Sequence, residues 1–204
     1  PTQLQICRAA LWAGLLMCIS VVLCFATLSM RTSLNCPMVM RAIAGLWSSI
    51  LVKRYVVRAH RDHIFHLANH MAKADVEEVA AAVGMGPYRA LEDSLNRSAV
   101  AWTGMVDGRP VCMFGVSPID ILGGVGSPWL LGTDEIKKHA KTFLKLNKLY
   151  VPKMLELFPI LTNYVDARHE TAIRWLKWLG FKFEPKPVEY GMWGMDFYRF
   201  YMEK

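Results

Sequence analysis

The sequence predicts an α+β fold in which strands and helices alternate behind an apolar N-terminal helix. Three observations predict it. Residues 9–30 run for 22 positions without a charge, between Arg8 and Arg31. Asp107-Gly108 separates two alternating apolar runs, which is the sequence signal of a β-hairpin, because both central positions of that turn take positive φ. The stretch Asn163–Phe181 reads as a strand end, a turn and a helix with a defined stop.

The apolar run Ala9–Met30 is long enough to cross ~30 Å of hydrocarbon as a helix. More Lys and Arg follow it than precede it, so insertion would leave the following domain cytoplasmic. It fits a signal peptide less well, since it exceeds the usual apolar core and no small-residue cleavage site follows. The chain starts at Pro1, with Met38 and Met40 shortly before the domain, so a further reading is that residues 1–39 extend the reading frame upstream of the working protein. Residues 1–49 are expected to be this segment and a connector, and residues 50–204 the domain.

Net charge is +7, and it is unevenly placed. Residues 1–61 carry seven Lys and Arg and no acid, whereas residues 62–204 hold 17 basic and 17 acidic side chains. A neutral domain lacks the broad positive surface that drives phosphate binding, so no nucleic-acid partner is expected. The five cysteines include no Cys-x-x-Cys, and four lie in or beside the apolar run, which gives neither a disulfide framework nor a zinc ligand set. Cys112 reads as an inert core thiol.

Within the domain, Val52–Ala59 reads as the first strand and Asp62 to about Met71 as a helix. Asp75 and Glu78 form a capping-box-like pair ahead of Val79, Ala80 and Val83. Gly84 and Gly86-Pro87 break the chain before a short helix, Tyr88–Leu95. His60, His63, His66 and His70 recur at helical spacing, but no carboxylate or cysteine set completes a site, so a solvated face is expected rather than a metal. Ala99–Met105 and Arg109–Val116 form the hairpin, with Trp102 and Phe114 expected on its two faces. Ser117–Ser127 reads as a loop. Its Gly-Gly-Val-Gly lacks the Gly-Lys-Ser/Thr ending of a phosphate loop. Pro128–Leu131 is the fourth strand. Thr133 then caps one long helix, Asp134 to Phe158, with Lys137, Lys138, Lys141, Lys145 and Lys148 on its wet side, a kink at Pro152 and a stop at Pro159.

Ile160–Val165 reads as a buried strand. In the helix after it, Ala172, Ile173, Leu176 and Leu179 form one apolar face, Asp166 and Glu170 suit the positive end, and Gly180 ends it with Phe181 folding back. Lys182-Phe183 starts a strand, Glu184–Gly194 is an excursion, and Phe197–Met202 closes the sheet. Its odd positions Phe197, Arg199 and Tyr201 share one face, and Tyr198, Phe200 and Met202 the other.

A strand, a helix ending in Leu179-Gly180-Phe181 and a closing strand resemble the C-terminal half of the GNAT acyltransferase superfamily, and Ala172 keeps the family spacing. Asp-Gly-Arg-Pro-Val-Cys-Met-Phe-Gly-Val, from Asp107 to Val116, is similar to its central hairpin. The runs from Gly123 to Asp134 and from Val165 to Phe181 look most like a GNAT-like branch of phage proteins linked to internal virion components or virion morphogenesis. The resemblance implies a central mixed, mostly antiparallel sheet flanked by helices on both faces. It also implies acetyl-CoA wedged between the fourth and fifth strands, near Trp129, Leu131, Gly132, Thr133, Lys137 and Trp175. Asp166, His169 and Glu170 are its candidates for acid–base work. Each also has a plain structural role, the two acids at the helix start and His169 as a surface polar group. Leu176 replaces the family's frequent tyrosine acid, and His169 a common asparagine. The family's Gln/Arg-x-x-Gly-x-Gly/Ala loop is replaced by Leu130-Leu-Gly-Thr-Asp-Glu-Ile-Lys-Lys138, so cofactor binding is expected to be weak. Two functions follow: a virion or assembly component on a degenerate scaffold, partnered by other virion proteins, or an N-acetyltransferase acting on a small amine or protein acceptor. The expected location is host cytoplasm or virion, with membrane contact only through residues 9–30.

Overall fold

The computed structural model describes residues 52–204; the expected apolar helix and the connector lie outside the described residues. β1 (Arg54–Arg58) is followed by three helices, α1 (Asp62–Asn69), α2 (Lys73–Val83) and α3 (Pro87–Arg97). Three antiparallel strands come next: β2 (Val100–Val106), β3 (Arg109–Asp120) and β4 (Val125–Gly132). A single turn α4 (Glu135–Lys138) and the long α5 (Ala140–Leu157) lead to β5 (Ile160–Asp166), α6 (Glu170–Leu179), β6 (Lys182–Phe183), β7 (Val188–Tyr190) and β8 (Met195–Glu203). The sheet order is β1-β2-β3-β4-β5-β8-β6, with β7 also on β8, and β4–β5 is its parallel pair. The mixed, mostly antiparallel sheet expected from the sequence is present.

Side chains alternate across this sheet, so each face needs cover. On one face, Ile64 and Leu67 of α1 and Leu91 of α3 bury Met113, with Trp129 and Leu131 beside them. On the other, Phe143, Val151 and Met154 of α5 meet Phe114, Val116 and Leu161, and the apolar side of α6 packs there through Ala172, Ile173, Leu176 and Leu179. Helices therefore cover both faces. Among the described residues, no helix is long and apolar enough to cross a membrane.

Turn chemistry is as read. Asp107 and Gly108 have φ of 47° and 80°. Gly180 has φ of 102°, and Phe181 donates its amide to the Leu176 carbonyl and is buried. Burial pushes the Cys112 thiol up to about 12, which leaves it unreactive.

Several expectations are corrected. Trp102 and Phe114 pair directly across β2 and β3 with ring centroids 5.7 Å apart, on the same face, because directly opposed residues of an antiparallel pair project together. The supposed loop 117–127 is mostly ladder: β3 runs to Asp120 and β4 starts at Val125, with only a tight tip between. The single helix from Asp134 breaks at His139, which has non-helical φ and ψ. The helix α5 continues through Pro152, which removes the donor for the Lys148 carbonyl. Thr133 is not the cap, since its hydroxyl donates to the Val111 carbonyl. The opposite faces read for Phe197 and Phe200 of β8 hold, and both side chains are buried because both faces are covered.

Candidate active site

The parallel pair β4–β5 is brief. Val125 and Gly126 pair with Ile160 and Leu161, after which the strands diverge. Pro128 can donate no amide, and its carbonyl accepts a hydrogen bond from Asn163 Nδ2 at 3.0 Å, which props the strands apart at the apex. A cavity of about 520 Å³ opens beyond this point. Its walls come from α2, β4, β5, α5 and α6, and β7 contributes Tyr190, stacked on Tyr164 with ring centroids 4.1 Å apart. Past Tyr190, the amides of Met192 and Trp193 donate to the carbonyls of Ala82 and Ala81 at the end of α2, so the β7–β8 arm joins the two sides of the cavity.

Hydrogen-bond parity fixes which β4 groups face the cleft. The Thr133 amide bonds to Val111 on β3, so Leu131 and Trp129 also point their backbone groups at β3, and Gly132, Leu130 and Pro128 point theirs away from it. Gly132 is engaged on both sides. Its amide donates to Asp75 Oδ2 at 2.7 Å, and its carbonyl accepts from the Ala72 amide at 2.8 Å.

Asp75 and Glu78, one turn apart on α2, project together into the cleft. The pair is a capping box in sequence only, because the helix already begins at Lys73 and no side chain caps it. Asp75 Oδ1 lies 3.1 Å from His169 Nε2. His169 Nδ1 accepts the Ala172 amide at 3.1 Å and caps α6, which makes Nε2–H the donor to Asp75. Burial alone would lower the His169 pKa, but the Asp75 hydrogen bond and the charges of Glu78 and Asp166 raise it. Desolvation raises Glu78 to about 8, against the opposing effect of His169, and the charges of Asp75 and Asp166 push the same way.

The three sequence candidates for acid–base work separate here. Asp166 is buried with its carboxylate bound to Arg168 Nε at 2.9 and 3.1 Å; that bond holds its pKa below the usual carboxylate range, which makes it a poor base. His169 is a cap and an Asp75 partner, with both ring nitrogens engaged. Glu170 is exposed in the first turn of α6, at the cavity wall. Among the expected cofactor residues, Trp129 donates its indole N–H to Ser98 Oγ at 2.8 Å and packs with Leu131 on the α1–α3 face. All six expected residues, Trp129, Leu131, Gly132, Thr133, Lys137 and Trp175, nonetheless line the cavity, with Lys137 paired to Asp134 and Leu176 beside Trp175. Sequence reasoning missed Asp75 and Glu78 as cleft residues; their spacing of three was the available signal. Among the described residues, no group of three or more His, Cys, Asp or Glu side chains is placed to hold a metal.

No family model matches the sequence. No curated protein matches it as a relative either. Solved structures do match in fold. An Ard1 from Thermoplasma volcanium superposes with a TM-score of 0.59 at 14% identity, over 74% of this chain and 97% of that one. An N-acetyltransferase from Staphylococcus aureus gives 0.58 at 11%, over 74% and 98%. A spermidine N-acetyltransferase from Vibrio cholerae, in complex with CoA and spermine, gives 0.55 at 14%, over 74% and 95%. Residues 52–204 therefore have the fold of the GNAT acetyltransferases.

Proposed function

We propose that this protein is a virion-morphogenesis or internal virion component, in a host cytoplasm or virion, built on an acyltransferase scaffold that does not turn over acyl-CoA. The observation that carries the loss of turnover is the β4–α4 junction. A pyrophosphate needs free backbone amides and a positive helix end. Here Asp134 and Glu135 occupy the start of α4, and that helix has only four residues. The Thr133 amide is spent on Val111, and the Lys137 ammonium on Asp134. Leu176 adds an apolar surface to the cleft where the resemblance puts a tyrosine acid. The assembly role itself rests on the resemblance of residues 123–134 and 165–181 to GNAT-like phage proteins.

The Vibrio cholerae neighbour, solved with CoA, supports an acyl-CoA cofactor for this chain, and one observation favours a working N-acetyltransferase. Glu78 lies in the cleft with its pKa raised to about 8, where a carboxylate can carry a proton near neutrality. Calorimetry with acetyl-CoA, joined to a thiol-release assay with spermidine and peptide amines, decides between the two. The assembly reading expects no saturable heat at micromolar cofactor and no CoA release, with binding improved by Asp134→Ala/Glu135→Ala. Micromolar affinity with CoA release that Glu78→Gln abolishes would establish the enzyme instead.

A further inference from the structure

We propose that the outer face of α5 and α6 is a docking surface for an anionic lipid layer. The inference goes beyond the cleft and uses none of its acids.

The charges of the domain cancel in number but not in place. Residues 137–182 hold ten Lys and Arg against three Asp and Glu, and one of those acids, Asp166, is buried against Arg168. The rest of residues 62–204 holds seven against fourteen. Surface bases elsewhere sit in ion pairs: Lys73 with Glu77, Arg97 with Asp93, Arg109 with Glu135 and Arg199 with Glu184. Lys141, Lys145 and Lys148 of α5 and Arg174 of α6 are exposed, and among the described residues none of them has such a partner.

Apolar side chains lie among these bases. Leu149 is 63% exposed and Trp178 46%. Leu146 and Leu149 share a shallow hollow on α5 with Lys141 and Lys145. The Lys148 ammonium lies 4.7 Å from the centre of the Trp178 ring, which joins the two helices into one face. An indole set among lysines suits a headgroup layer. The ring and the leucine enter the boundary with the acyl chains, while the lysine stems lie along them and carry their ammonium groups out to the anionic headgroups. A nucleic-acid duplex would use the charges alone and leave Leu149 and Trp178 without apolar contact. An anionic leaflet strengthens attachment about fivefold for each lysine near it, and that attraction fades within a Debye length of ~8 Å, so this face must touch the layer.

The test is flotation of the full-length protein with two kinds of vesicle at 150 mM salt, one of phosphatidylcholine alone and one with about one-third phosphatidylserine. The protein should bind the anionic vesicles at least tenfold more tightly. Lys141→Glu/Lys145→Glu/Lys148→Glu should cut that preference at least fivefold. Lys73→Glu/Arg89→Glu/Arg97→Glu makes the same change in net charge on α2 and α3 and should cut it less than twofold. Residues 1–61 are the same in every variant, so a loss caused by the α5 substitutions is not theirs. On anionic vesicles, a blue-shifted part of the tryptophan emission should be absent from Trp178→Phe. If the triple reversal does not fold, Lys141→Gln/Lys145→Gln carries the test with a loss of at least twofold, alongside Trp178→Phe. Equal losses from the two triple variants, or an emission shift that Trp178→Phe leaves intact, overturn the proposal. Tighter binding to a DNA duplex than to anionic vesicles at the same phosphate concentration overturns it too, by making nucleic acid the occupant. No acyl-CoA enters the experiment, so its failure leaves the reading of the cleft untouched.

Discussion

Glu78 shows how a single side chain sets a pH dependence. Desolvation in the cleft wall raises its pKa, the charges of Asp75 and Asp166 add to this, and His169 opposes it. Its folded pKa of about 8 stands well above the ordinary value of 4.5. Between these values the unfolded chain has released the proton and the folded chain still holds it. Stability from this group is therefore fully present below pH 4.5 and is lost as pH rises toward 8. Glu78→Gln keeps the shape and removes the ionisation. The variant should match the parent in melting temperature near pH 5 and exceed it at pH 8.5, with a gain of about 2–4 °C for each kcal/mol removed. Equal melting temperatures at both pH values would show that the carboxylate is not desolvated in solution.

Single elements show where the sequence was legible and where it was not. The helix α6 could be read almost to the residue, because its apolar face, its first-turn acid and its Gly180 stop are all local signals. The break at His139 could not, since Ile136, Phe143 and Val151 keep an apolar stripe on both sides of it and periodicity does not register a one-residue interruption. The strands β3 and β4 ran past their expected ends because Pro118 and Gly126, which read as loop residues, sit in an irregular part of the ladder. Gly104 gave no sequence signal at all. A Cβ there would come within 2.5 Å of the Phe143 ring and 2.7 Å of Cys112 Sγ, so the glycine lets α5 lie close over β2. Gly104→Ala should cost about 1–3 kcal/mol, as overpacking does in a filled core. Chemical denaturation would measure it as a lower midpoint with an unchanged slope, and Gly104→Ala/Phe143→Leu should recover part of the loss.

At the scale of the molecule, the sheet order and the cleft were accessible only through the resemblance, because strand pairing is non-local and periodicity carries no information about neighbours. The contact across the cleft was illegible for the same reason: Asp75 and His169 are 94 positions apart, and only the fold brings them together. Charge distribution, by contrast, needs no fold to be read. Lys141, Lys145 and Lys148 lie exposed along α5, yet residues 62–204 balance 17 basic against 17 acidic side chains. Duplex binding gains its free energy from counterions released by neutralised phosphates, and its affinity falls steeply with salt in proportion to the number of contacts. A balanced domain has little to offer such an exchange, whereas residues 1–61 hold seven Lys and Arg without an acid. The fragment 52–204 should fold with one thermal transition and show no submicromolar duplex affinity at 150 mM salt, a concentration at which non-specific binding is already in the roughly 1–100 μM range. Any residual affinity of the full-length chain should disappear with residues 1–51. Submicromolar binding by the fragment with a steep salt slope would mean that the α5 lysines act as a phosphate-binding surface.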